Sequence, residues 1–170
     1  YGLVGSDVAA GNRYLYDQVY QKGDGYSFGD YPKLTDSYKE GDLGTPNATW
    51  EKAKKFDVGL DMNFLNKFSF TIDYFLDKRY DQLVTREYIP LVIGIGFSPN
   101  NIARTTNQGF DGQISYQDRF GDFDFNTNLV FSYAKNRVDY KAEAQQKYPW
   151  LAATGKSLNQ PFGYKWIGYY

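Results

Sequence analysis

Histidine and cysteine are both absent from these 170 residues. Triads and general bases that need His, thiolate chemistry, disulfides, and zinc sites built on His or Cys are thereby excluded. Carboxylates remain the side chains best suited to acid–base work. Asp57, Asp61, Asp73, Asp77 and Asp111 recur on the polar phase of stretches that alternate polar with apolar residues. Two such groups about 5–10 Å apart in a pocket would serve glycoside hydrolysis. The plainer reading is stronger, because alternation by itself requires polar residues there, hydrated or paired with Lys or Arg. No catalytic residue is assigned.

Aromatic rings are the second set. Tyr14, Tyr16, Tyr26, Tyr148 and Trp150 fall outside the alternating stretches, among Gly, Pro, Asn and Asp. Rings in such loops stack on sugar rings or contact a protein partner, or else pack the loops together. Tyr148-Pro149-Trp150 is the sharpest ligand-binding candidate, since Pro149 stiffens the chain between two rings. Tyr14 and Tyr16 join it as candidates. Gly94-Ile95-Gly96-Phe97-Ser98-Pro99 superficially suggests a phosphate loop, but no Lys-Ser or Lys-Thr and no helix follows. Asp24, Asp30 and Asp36 do not have the spacing of an EF-hand. No metal and no cofactor is expected.

The elements that must position these groups are strands. Phe56, Val58, Leu60, Met62 and Phe64 alternate with Asp57, Gly59, Asp61 and Asn63. Phe68, Phe70, Ile72, Tyr74 and Leu76 continue the pattern after a tight turn at Leu65-Asn66-Lys67, and only Phe75 breaks it. A second hairpin runs from Phe110 to Gln117, turns at Asp118–Asp122, and returns from Phe123 to Ala134. A last strand is expected from Phe162, and a short helix within a loop at Lys141–Lys147. The remaining connections, Ala10 to Asn47, Thr85 to Arg104 and Asp139 to Asn159, are long.

Short turns on one side and long loops on the other are the asymmetry of outer-membrane barrels. Nine residues from Phe56 to Phe64, tilted, cover about 23 Å against an expected apolar band of about 25 Å. Tyr, Phe and Trp make up 19% of the chain, and many sit near strand ends, where rings bridge hydrocarbon and head groups. Lys plus Arg number 19 against 20 Asp plus Glu, so charge gives no reason to expect a nucleic-acid partner. No apolar run reaches the roughly 20 residues of a spanning helix. The expected fold is all-β, a section of a large antiparallel transmembrane β-barrel. It has five strands, or six if Gly2–Val4 ends another, too few to close by itself.

Several motifs resemble one family in order. Leu43-Gly44-Thr45-Pro46-Asn47-Ala48-Thr49-Trp50-Glu51-Lys52-Ala53 resembles the "GNPNLTWEKA" signature of the SusC/RagA family of TonB-linked outer-membrane transporters of Bacteroidota. Asp73–Val84 is similar to its "DYF…KR.D.LV" strand, Asn107–Asp111 to "NKGFE", and Phe131–Val138 to "LSYAKNKI". Asn159–Tyr164 resembles "G.PFGY", and Tyr1–Asp7 resembles "YGxxGND". Thr45 and Ala48 stand where the pattern more often has Asn and Leu.

The resemblance implies a barrel that imports nutrients, most plausibly oligosaccharides, with peptides as the variant within the family. Its implied partners are outer-membrane lipid, a SusD-like surface lipoprotein, and TonB acting through an N-terminal part. Residues 1–170 are expected to be a partial barrel domain, without plug, TonB box or signal peptide. Asp57, Asp61, Asp73, Asp77 and Asp111 would then face the lumen. Two rivals predict otherwise. A soluble β-rich carbohydrate-binding module would bury the Phe56–Phe64 face against a second sheet. A passive porin-like channel or structural adhesin would have no plug upstream.

Overall fold

A computed structural model describes residues 1–7, 14–29 and 34–169. Among the described residues nine strands run in chain order: β1 (Gly2–Ser6), β2 (Tyr20–Lys22), β3 (Tyr26–Ser27), β4 (Leu34–Thr35), β5 (Tyr38–Glu40), β6 (Glu51–Phe64), β7 (Phe68–Val84), β8 (Asn100–Phe120) and β9 (Phe123–Tyr140). The main sheet has the order β1-β6-β7-β8-β9 and is antiparallel throughout. Two small ribbons, β2 with β5 and β3 with β4, sit in the first long connection. Among the described residues no helix is long and apolar enough to cross a membrane.

Register sorts the side chains. Val58, Tyr74, Phe110 and Tyr133 lie in one row across four strands, as do Leu60, Ile72, Gly112 and Phe131, and then Met62, Phe70, Ile114 and Leu129. All project from one face. Two glycines are places where cross-strand rings fill in. A Cβ on Gly112 would run into the Phe131 ring, and one on Gly109 would come within 2.7 Å of the Phe75 ring. Phe75 therefore breaks the alternation for a reason, since its ring covers a glycine on the polar face.

Both hairpin turns are tight. Leu65 and Asn66 each take φ 53, and Lys67 donates its N–H to the Phe64 carbonyl at 3.2 Å. The second turn is shorter than expected. β8 continues to Phe120, leaving Gly121-Asp122 with Gly121 at φ 66, the glycine-first geometry of a II′ turn. The strands also outrun their apolar stretches at the opposite end, to 21 residues in β8.

Two expectations are corrected. Residues 141–147 form no helix, because other contacts take their backbone groups: Ala142 is buried, its carbonyl accepts the Glu87 N–H at 3.0 Å, and Glu143 N–H donates to the Lys141 carbonyl at 2.8 Å in a tight local turn. Residues 162–169 form no strand. The outer edge of β9 near its end is taken instead by the returning loop, where Val138 N–H donates to the Lys156 carbonyl (2.8 Å) and Gly155 N–H to the Val138 carbonyl (2.7 Å).

A β-bulge near the end of β7 is held on three sides. Pairing with β8 shifts between Arg79 and Leu83, and Asp81 adopts φ 55. Asn101 Nδ2 donates to the carbonyls of Asp81 (2.7 Å) and Thr49 (2.8 Å), while Asn101 Oδ1 accepts the Thr49 N–H (2.8 Å). Glu51 Oε1 accepts the Leu83 N–H (3.0 Å), and Lys52 pairs with Asp81 at 2.9 Å. Replacing Asn101→Ala removes three of these bonds and is expected to destabilise the intact protein by about 1–3 kcal/mol. Urea unfolding in detergent measures it, and an unchanged midpoint would show that the bulge stands without Asn101.

Candidate functional site

The strands place the five aspartates on one face, opposite the apolar rows. Gly59, Asp73, Asp111 and Ser132 form one row, and Lys55, Asp77, Asn107 and Asn136 another. Asp57 and Asp61 are exposed on the same face. Asp73 and Asp111 stand directly opposite one another, an unfavourable like-charge pair unless the groups part. They do part. The Asp73 carboxylate lies over Gly59, where a Cβ would collide with it, and Asp111 Oδ1 accepts a hydrogen bond from Ser132 Oγ at 2.5 Å. Asp77 is buried, and its Oδ2 accepts from Arg79 Nε at 3.1 Å. The face thus carries exposed, half-buried and paired carboxylates, and Oδ1 of the buried Asp77 has no partner among the described residues.

The loop aromatics gather in pairs. Tyr148 and Trp150 stack face to face, 4.7 Å between centroids and 8° between planes, across a 3-10 turn at Pro149–Leu151. Both stay open to solvent, at 41% and 63%. Tyr14 and Tyr16 meet edge to face at 6.2 Å, and Tyr26 meets Phe28 at 5.0 Å. Among the described residues no ring contact joins the Tyr14–Tyr16 pair to the Tyr148–Trp150 pair. Pro149 does order the two rings, and it orders them against each other.

The loops are anchored by polar contacts that their sequence does not announce. Leu43 and Phe97 bridge in parallel, Leu43 N–H donating to the Gly96 carbonyl (2.9 Å) and Ser98 N–H to the Leu43 carbonyl (3.0 Å). The Gly94–Pro99 stretch is therefore a docking segment for residues 42–44. Asp36 pairs with Lys22 at 2.8 Å; Asp30 lies outside the described residues. Glu143 accepts the backbone N–H groups of Ala153 (2.7 Å) and Thr154 (2.9 Å) and ties down the loop that carries Tyr148 and Trp150.

Among the described residues nothing covers the apolar face. Phe56 is 44% exposed, Leu60 50% and Leu129 59%. Buried apolar side chains among the described residues are few and small or peripheral: Leu15, Ala103, Val138 and Ala142. A sandwich module would bury this face against a second sheet, and that expectation fails.

The family profile "TonB dependent receptor-like, beta-barrel" matches residues 10–169. The chain belongs to that family. It is 26% identical over 143 residues, 76% of its length, to "TonB-dependent receptor P3" of Formosa agariphila, and spans 14% of that protein. In fold it is similar to the RagAB peptide importer. The "open-open" state gives a TM-score of 0.64 at 19% identity, covering 86% of this chain and 15% of that one. The "closed-closed" state gives 0.66 at 17%, covering 91% and 17%. The SusC/RagA resemblance read from the motifs is borne out, and the five strands are an open section of a TonB-dependent receptor barrel. The family is one of outer-membrane receptors and not of enzymes.

Burial raises the pKa of the Glu143 carboxyl, but the Thr154 hydroxyl, the Ala153 and Thr154 N–H groups and the Lys141 charge outweigh it, leaving the net value below the ordinary carboxylate range. A lowered folded-state pKa stabilises docking above the unfolded value, about 4.3, and that stabilisation is lost as pH falls through the folded value. The protection of the Ala153 and Thr154 amides in the intact receptor, taken relative to their intrinsic exchange rates at each pH, should therefore fall in acid. In Glu143→Gln it should show no such acid step; a wild-type profile flat across this range would remove Glu143 as the anchor.

Proposed function

We propose that this chain is a wall section of a TonB-dependent importer residing in the bacterial outer membrane, and that the whole protein takes up oligosaccharides. The observation that carries the membrane reading is the uncovered apolar face of β6–β9. Each of its large side chains gains about 1.5–3 kcal/mol when fully buried, and hydrocarbon is the medium that can supply this along strands whose other face is polar. In that setting Asp57, Asp61, Asp73, Asp77 and Asp111 line the lumen.

Cargo recognition falls to the loop end in this reading. Tyr148 and Trp150 already stack with each other, so the outer faces of the pair are what a sugar ring would meet. A SusD-like lipoprotein would meet the same loops. TonB would act through parts of the protein outside these residues. The likeness to RagAB bears on fold, and its cargo is that protein's own.

Deletion of the gene, or of TonB function, should abolish growth on the cognate oligosaccharide while growth on its monosaccharide continues. Trp150→Ala in the intact receptor should weaken oligosaccharide binding about twofold to tenfold, the worth of one ring-stacking contact. Normal growth of the deletion strain on every glycan, with loss of growth on peptides, would replace sugar by peptide as cargo. The receptor in a soluble fraction would overturn the membrane reading itself.

A further inference from the structure

Immediately toward the loop end of the apolar rows, the same face changes from hydrocarbon to cations. The row above Val58–Tyr74–Phe110–Tyr133 is Phe56, Leu76, Gln108 and Lys135. The next is Lys54, Lys78, Thr106 and Arg137. Lys54 and Lys78 are direct cross-strand partners, an arrangement that disfavours itself by like-charge repulsion. Among the described residues no carboxylate lies within ion-pairing distance of Lys54, Lys78 or Lys135, whereas Lys52 and Arg137 on this face have Asp81 and Asp139.

The contrast with other surfaces is local. On the lumen face at the same height, Lys55 stands opposite Asp77, so charges alternate in sign. At the turn end of the outer face, the one charged group in the ladder, Asp118, is taken by Lys67 at 2.7 Å and by Tyr116 at 2.8 Å. On this outer face Lys54, whose Nζ lies 5.3 Å from the centre of the Tyr80 ring, Lys78 and Lys135 gather without a carboxylate partner among the described residues at the border where the apolar rows meet the loops. There the returning loop and β8–β9 enclose an open cavity of about 470 Å³, lined by Thr106, Gln108, Lys135, Arg137, Lys156 and Gln160 among others.

We infer that Lys54, Lys78 and Lys135, with the cavity beside them, bind the phosphates of an outer-leaflet glycolipid. The inference rests on the membrane reading above. It gives the repelling Lys54–Lys78 pair a shared anion. It also fits both halves of such a molecule: acyl chains run down over Leu76, Phe110 and Tyr133, while the phosphorylated sugar sits at the cation rows and makes hydrogen bonds in the polar cavity.

The test uses the intact receptor in neutral detergent, titrated with bisphosphorylated lipid A, dephosphorylated lipid A and inorganic phosphate. Bisphosphorylated lipid A should bind at least about tenfold more tightly than the other two, and salt should weaken it. Lys54→Gln should lose about fivefold, while Lys55→Gln, next in sequence but on the lumen face, should lose nothing. The triple replacement of Lys54, Lys78 and Lys135 by Gln should lose about a hundredfold. Equal binding of the dephosphorylated lipid, or equal losses in Lys54→Gln and Lys55→Gln, would overturn the inference. Inorganic phosphate binding as tightly as the lipid would reduce the belt to an anion site and overturn it too. The wild-type comparison stands even if the triple variant does not fold. Fractionation of the same cells separates the two levels: a receptor absent from the outer membrane sinks both readings, and one present there without phosphate preference sinks this one alone.

Discussion

Every placement in this structure depends on the uninterrupted antiparallel ladder from β6 to β9. A strand has side-chain period two, so one residue of slip between neighbours would move its aspartates to the apolar side and its phenylalanines to the polar side. Register must therefore be pinned at both ends of the sheet. At the turn end the two tight turns do this, with left-handed backbone at Leu65, Asn66 and Gly121. Leucine and asparagine accept that conformation at a cost of about 1–2 kcal/mol per residue for an ordinary side chain, which the hairpin ladder offsets.

At the loop end the pin is the bulge around Asp81. Its supports come from three separate stretches of chain: Thr49, Glu51 and Lys52 before and at the start of β6, Asp81 and Leu83 in β7, and Asn101 in β8. Two of these stretches carry motifs that resemble the SusC/RagA pattern. Much of what the Trp50-Glu51-Lys52 and Asp81-Gln82-Leu83-Val84 motifs do here is structural. They hold an extra residue in place so that the strands can continue past the apolar rows without losing phase.

Alternation made the central strands, both hairpins, the polar aspartate face and the loop asymmetry legible in the sequence. It reads well because each side chain reports one face independently of distant partners. What it missed depends on partners. The segment from Phe162 to Trp166 has strand-like alternation but no ladder, since the edge it would use near Val138 is bonded by residues 155 and 156. Lys141–Lys147 has helix-forming composition, yet burial of Ala142, its carbonyl bond to Glu87 and the two N–H groups held by Glu143 commit it to a non-helical path. The Phe75 anomaly needed the knowledge that Gly109 lies across from it. Ring pairing at Tyr148 and Trp150 was foreshadowed by Pro149, but whether the faces meet each other or a ligand is a matter of loop geometry that no local pattern contains.

The sheet's edges show why such a section belongs in a larger ring of strands. β1 pairs with residues 51–55 of β6, so among the described residues the outer side of β6 has no neighbour from Phe56 to Phe64. On the other edge the returning loop bonds β9 at Asn136 and Val138, with Leu158, Ser157 and Gly155 donating and the Lys156 carbonyl accepting, and among the described residues the stretch below has no strand beside it. Both open stretches lie at the height of the apolar rows. In water such edges would be hydrated and would invite pairing with other chains. In hydrocarbon each unpaired N–H or C=O costs several kcal/mol, so the medium that suits the apolar face is the one that forbids open edges. The two demands are met together only if further strands pair with β6 and β9 at that height, and a barrel closed by those strands satisfies both at once.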